Sequence, residues 1–127
     1  MPLIKPELII PTKIIGDLAE ERARAYLQQQ GMVWVCSNYR CPQGEIDLVM
    51  RDLETLVFVE VRFRSHPGYG ESVETVVWRK QHRLIKAAWH YLLEINALEK
   101  VNARFDVLGL AADGEIYWIQ NAIEVKY

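Results

Sequence analysis

Apolar positions along this chain recur with two different periods, and the switches between them mark out the elements. Ala19, Ala23, Tyr26 and Leu27 repeat every three to four residues, the spacing of a helix that buries one stripe. Asp17, with Glu20 three residues later, reads as an N-cap and its reciprocal partner. Gly31 reads as the stop of that helix. Residues 32–39 read as a strand that ends at Arg40-Cys41-Pro42-Gln43-Gly44. Residues 44–51 and 55–64 are rich in Val, Leu, Ile and Phe and read as two more strands. The short polar Asp52-Leu53-Glu54 joins them as a hairpin. A loop follows at Ser65-His66-Pro67-Gly68-Tyr69-Gly70. A long helix is then expected over 74–98, with Val77, Leu84, Ile85, Ala88, Leu92 and Ile95 as its core stripe. Strands at 104–108 and 115–119, joined by Asp113-Gly114, complete the chain. Residues 1–15 hold Pro2, Pro6 and Pro11 and read as an irregular arm before one domain over 16–127. The order α-β-β-β-α-β-β implies an α/β fold, a mixed sheet flanked by helices.

Two acids interrupt the apolar strands. Asp47 lies within Gly44-Glu45-Ile46-Asp47-Leu48-Val49, and Glu60 within Phe58-Val59-Glu60-Val61-Arg62. Side chains alternate along a strand, so Leu56, Phe58, Glu60, Arg62 and Arg64 share a face. Val57, Val59, Val61 and Phe63 cover the other, as on a strand buried on both sides. A carboxylate there is costly unless something holds it. Pairing Arg51 with residue 55 sets Asp47 opposite Val59, and pairing it with Leu56 sets Asp47 opposite Glu60. Opposed Cβ atoms lie about 5 Å apart, so the second register lets both carboxylates grip one divalent cation, Mg²⁺ or Mn²⁺. Such sites cut phosphodiesters. The competing reading is a salt-bridged solvent face.

Other polar residues carry two readings each. Glu20 is either a cap partner or a site residue. Glu45 shares the face of Asp47 and is either a neighbour of the site or a solvated strand end. Arg64, Arg79, Lys80 and Arg83 make either a phosphate-binding rim or a charged outer face. His66, His82 and His90 lack metal-ligand spacing and read as surface or packed residues. Trp78, Trp89 and Trp118 read as core, and Asp106 as a structural partner for an arginine.

Composition narrows the class. The chain has 127 residues, half of them hydrophobic and a quarter charged, as in an ordinary globular domain with a real core. Fifteen basic and seventeen acidic residues give a formal net charge of −2. Nucleic-acid binders are usually basic, so any such contact must come from a local patch. Cys36 and Cys41 are the two cysteines, too few for a zinc site, and read as reduced and cytoplasmic. No apolar run is long enough to span a membrane.

Gly16-Asp17-Leu18-Ala19-Glu20, Gly44-Glu45-Ile46-Asp47-Leu48 and Phe58-Val59-Glu60-Val61-Arg62-Phe63-Arg64 occur in that order. Lys80-Gln81 and Arg104-Phe105-Asp106-Val107 follow. This succession resembles the YraN-type family of small uncharacterised bacterial proteins. That family is similar to the restriction-endonuclease-like superfamily, which includes archaeal Holliday-junction resolvases. The resemblance covers roughly residues 16–118. It implies a restriction-endonuclease-like fold and a metal-dependent endonuclease or nucleic-acid-binding protein acting on DNA, branched or structured. It also implies the alternative of a catalytically inactive module of the same fold, binding nucleic acid or a protein. By the resemblance, Asp47 and Glu60 hold the metal and Glu20 matches the acid of the first helix. Arg62 stands where the superfamily has lysine, and Lys80, Gln81 and Arg64 match contacts to the DNA backbone. A homodimer is the implied assembly. Arginine stays protonated, so Arg62 is suited to stabilising a transition state and not to removing a proton.

Overall fold

The computed structural model describes residues 11–64, 78–98 and 100–123. Seven elements run through the described residues. They are α1 (Thr12–Gln29), β1 (Val33–Cys41), β2 (Gly44–Asp52), β3 (Thr55–Arg64), α2 (Trp78–Glu94), β4 (Asn102–Ala111) and β5 (Ile116–Ile119). The expected order α-β-β-β-α-β-β is present. The strands form one open sheet in the order β1-β2-β3-β4-β5. Neighbours are antiparallel except β3 and β4, which run parallel. A parallel pair needs a crossover connection, and α2 lies within it.

The two helices cover opposite faces of the sheet. Ala19, Ala23 and Leu27 of α1 pack with Leu48, Met50, Val57, Val59, Leu108 and Leu110. Leu84, Ala87, Ala88, Tyr91 and Leu92 of α2 pack with Val49, Leu56, Phe58 and Phe105. β3 is thus buried on both sides, with Val57, Phe58 and Val59 fully enclosed. Its odd-numbered apolar residues meet α1 and its even-numbered ones meet α2.

Several boundaries differ from expectation. α1 begins at Thr12 behind Pro11 and has no side-chain cap. Residues 12–15, expected in an irregular arm, are therefore helical, and residues 1–10 lie outside the described residues. Asp17 is inside the helix and ion-pairs with Lys13 at 3.2 Å, so the Asp17–Glu20 capping box is not formed. The proline explains the shift, since its fixed φ suits a helix entry and it has no N–H to satisfy. Gly31 does stop α1, with φ of 96° and a bond from Met32 N to Leu27 O. Asn96, also left-handed at φ 55°, stops α2 in the same way through Ala97 N and Leu92 O. The helix therefore ends at Glu94 and leaves Ile95, an expected core residue, 46% exposed. Trp89, also expected in the core, is exposed on the outer face of α2. Trp118 is half-buried, edge-on to Tyr26. The expected loop 65–70, the helix start 74–77 and the side chain of Trp78 lie outside the described residues.

Asp106 is fully buried and has partners on all sides. Arg104 donates to it from Nε at 3.1 Å and from Nη2 at 3.2 Å. Trp118 Nε1 donates at 3.0 Å and Asn121 N at 2.9 Å. Arg104 also reaches Asp52 at 3.1 Å. The expected arginine partner is present, and this cluster ties β4 to β5 and to the β2–β3 hairpin. A buried charge satisfied in this way is tolerated where a lone one is not. His90 is a packing histidine, with Nδ1 2.5 Å from Tyr39 Oη.

The hairpin tip carries a local cost. Leu53 sits in the left-handed region, at φ 55°, and is 88% exposed. A residue with Cβ loses roughly 1–2 kcal/mol there, and asparagine tolerates it better. Leu53→Asn is expected to raise stability by about 1 kcal/mol, seen in a thermal melt as about 3–5 °C.

Candidate metal and phosphate site

The site lies where β2 and β3 part company. Their ladder pairs Arg51 with Leu56 and runs to Leu48 opposite Val59. That is the register which, one residue further on, sets Asp47 beside Glu60. Backbone pairing stops there, and the Asp47 carboxylate takes over by accepting the N–H of Val61 at 2.8 Å. On its other side β2 follows β1, where Asn38 adopts a left-handed φ of 54°. The pairing skips the Asn38–Asp47 position, going from Ser37–Leu48 to Tyr39–Ile46. The register is unchanged across the skipped position, so no residue is inserted there, and the facing of both strands changes side at Asn38 and Asp47. Cys36, Tyr39, Cys41 and Ile46 all meet the core under α2 in consequence. Asp47 stands at the turning point, within electrostatic reach of Glu60 and of Glu20 on α1.

Glu60 is 4% exposed. It lies on the α2 face of β3, where Lys80 Nζ meets its Oε1 at 2.5 Å. α2 comes this close because Gly44 has no side chain. A Cβ there would stand 2.5 Å from the carbonyl oxygen of Arg83. The glycine that opens β2 thus sets the seating of the helix turn carrying Lys80 and Arg83. Glu45, Asp47, Glu60, Val61, Lys80, Arg83 and Leu84 line a cleft of about 170 Å³.

The structure brings Asp47, Glu60 and Lys80 into that one cleft. Glu20 lines a neighbouring cavity of about 480 Å³ with Lys13, Asp17, Glu21, Arg24, Ser37 and Asn38. Arg62 is half-buried on β3, two residues beyond Glu60, with Gly109 as its β4 partner. Gln81 is half-buried on α2. The Arg64 side chain and His66 lie outside the described residues. Glu45 is exposed and ion-pairs with Arg40 at 3.4 Å. Sequence reasoning put Lys80 on a DNA-contacting surface and missed its contact with Glu60. The link spans two elements far apart in sequence, and no local pattern carries it.

Electrostatics mark Asp47 out. Burial pushes its carboxyl up to about 8, and the Glu60 and Glu20 carboxylates add to the rise. The Val61 N–H and the Lys80 ammonium pull the other way without cancelling it. Glu20 is also raised, chiefly by burial, with Asn38 hydrogen bonding opposing. The fold therefore gathers carboxylates faster than it neutralises them, a condition that a bound cation relieves. Mg²⁺ is held by one or two protein carboxylates and keeps several waters. Among the described residues no group of three acidic, histidine or cysteine side chains is placed to hold a metal ion, so any ion here would rest on two carboxylates. Asp47 and Glu60 fit that requirement.

A family described as Uncharacterised protein family UPF0102 matches residues 19–110. The chain belongs to this family. A UPF0102 protein of Coxiella burnetii is 50% identical over 116 residues, covering 91% of this chain and 97% of the relative. One from Alcanivorax borkumensis is 45% identical over 126 residues, covering 96% and 97%. One from Haemophilus influenzae is 42% identical over 111 residues, covering 86% and 93%. The UPF0102 match contains every residue lining the cleft, and Glu20 of the neighbouring cavity as well. Among the described residues no helix is long and apolar enough to cross a membrane, and Cys36 and Cys41 are free thiols.

The raised Asp47 carboxyl makes a stability prediction. The folded state holds this proton more tightly than the unfolded chain, whose Asp titrates near pH 3.9. The contribution is therefore full below about pH 4 and lost as pH rises through about 8. Asp47→Asn should melt higher than wild type at pH 9, by about 3 °C or more, with the gap closing toward pH 4. A gap that stays constant over this range contradicts the assignment.

Proposed function

We propose that this UPF0102 protein is a metal-dependent endonuclease of restriction-endonuclease-like fold, acting in the cytoplasm on branched or structured DNA. The observation that carries this reading is the pairing of Asp47 with the buried Glu60 on two adjoining strands, at the floor of an open cleft. A pair of structural acids would sit in a closed network like that of Asp106. Asp47 and Glu60 instead face a volume of about 170 Å³, enough for an ion and its waters.

Asp47 and Glu60 would hold Mg²⁺ or Mn²⁺, with Glu20 assisting through water. A bound ion of this kind lowers the pKa of water and draws charge from a phosphoryl oxygen. The chain's own residues do the rest. Asp47 and Glu60 are anionic and would repel a phosphate directly, so they would place it only through the ion they hold. The Arg62 guanidinium would offer two parallel hydrogen bonds to phosphate oxygens and would stabilise the charge that builds there. Arg64, Lys80 and Gln81 would hold the flanking backbone. A dimer would present two clefts to the two strands of a branched substrate.

Arg62 in the place of lysine favours a second reading, a module of the same fold that binds nucleic acid or a protein partner without cutting it. Binding of DNA through phosphates would weaken steeply with salt, whereas an apolar protein contact would not.

Calorimetric titration with Mn²⁺ or Mg²⁺ tests the first reading. Wild type should bind at one site, and the Asp47→Ala, Glu60→Ala double variant should bind at least about tenfold more weakly while remaining folded. Cleavage of a four-way DNA junction should be lost in the same variant. A folded wild type that binds neither ion, alone or with DNA present, overturns the catalytic reading and leaves the binding module.

A further inference from the structure

The reading of Asp47 and Glu60 as a cation site leads to a question about Lys80, because a cation already stands on Glu60. Its ammonium lies 2.5 Å from the Glu60 carboxylate, inside the cleft where the ion would sit. The two partners are anchored differently. The Glu60 side chain is 6% exposed and fixed to the central sheet, while the Lys80 side chain is 49% exposed. Lysine is a compact point charge on a flexible four-carbon stem, and its donors have no fixed fork geometry. It can therefore leave along its stem toward solvent, whereas Glu60 cannot follow.

From this geometry we infer that Lys80 is a resident counter-ion of Glu60 that a divalent cation must displace. In the absence of the ion, Lys80 offsets the cost of burying a carboxylate. A divalent ion bound by Asp47 and Glu60 carries twice the charge and satisfies both acids. Lys80 is then released at the open side of the cleft, next to Arg83, where a phosphodiester would approach. One side chain thereby guards the fold before loading and meets the substrate's phosphate afterwards. The exchange also sets the order of events, with the phosphate-binding ammonium becoming available only once the ion is in place.

This inference rests on the cation-site reading, and the experiment separates the two. Mn²⁺ is titrated calorimetrically into wild type and Lys80→Met, which keeps most of the aliphatic stem, with a thermal melt as the check on folding. Removing the competitor should tighten Mn²⁺ binding by about tenfold or more. Equal or weaker binding by the folded variant overturns the inference and leaves the cation site standing. Failure of both proteins to bind overturns both. The wild type gives an independent reading through its lysine ε-carbon resonances, with Lys80 assigned from Lys80→Arg. Added Mg²⁺ should move the Lys80 signal more than that of any other lysine. A Lys80 signal that stays in place while Mg²⁺ binds overturns the displacement.

Discussion

A carboxylate on a strand covered by helices on both faces must be neutralised where it stands, and Glu60 is such a carboxylate. The central strand β3 is packed by α1 on one side and α2 on the other, so Glu60 is almost wholly buried and its charge is met by Lys80 at the cleft. Its neighbour Asp47 sits where the β2–β3 ladder ends and serves as a side-chain substitute for a backbone acceptor. Apolar packing and the absent side chain of Gly44 seat α2, and that seating brings Lys80 onto Glu60 at the edge of the cleft. An apolar residue at either position would fill the same space with less cost. Holding a divalent cation is the use we propose for acids kept at that cost.

The same chain shows the alternative way to bury an acid. Asp106 is enclosed completely and accepts from Arg104, Trp118 and the Asn121 N–H. That network is closed, and it fastens the β4–β5 edge. The Asp47–Glu60 pair is left open on one side and short of positive charge, which is why burial and its neighbours push Asp47 up to about 8. A network closed by its own partners is structural, whereas one that faces a cleft is available for chemistry.

Much of the fold was legible in the sequence because it rests on periodicity. The element order, the α1 stripe of Ala19, Ala23 and Leu27, and the two-faced burial of β3 all follow from spacing that packing then respects. The hairpin register was narrowed to two choices by the short turn, and the observed Arg51–Leu56 pairing is the one that aligns the acids. The start of α1 was misplaced because Asp17 and Glu20 imitate a capping box, while Pro11 opens the helix without any side-chain cap. Ile95 looked like core because it continued the stripe, but the left-handed Asn96 ends the helix first. The candidate acids were legible as apolar-strand interruptions. Neither the Lys80–Glu60 contact nor the role of Gly44 was, because both depend on how closely α2 approaches β2 and β3. Asn38 likewise gives no sign in sequence that it turns the strand over beside Asp47.

The central claim is that the two strand acids form one cation site. Crystals grown with Mn²⁺ test it most directly, through the anomalous scattering of the ion. The account predicts a single peak about 2.0–2.3 Å from carboxylate oxygens of both Asp47 and Glu60, with Lys80 Nζ moved off Glu60. A cleft without a peak, with Lys80 still on Glu60 at saturating Mn²⁺, would contradict it.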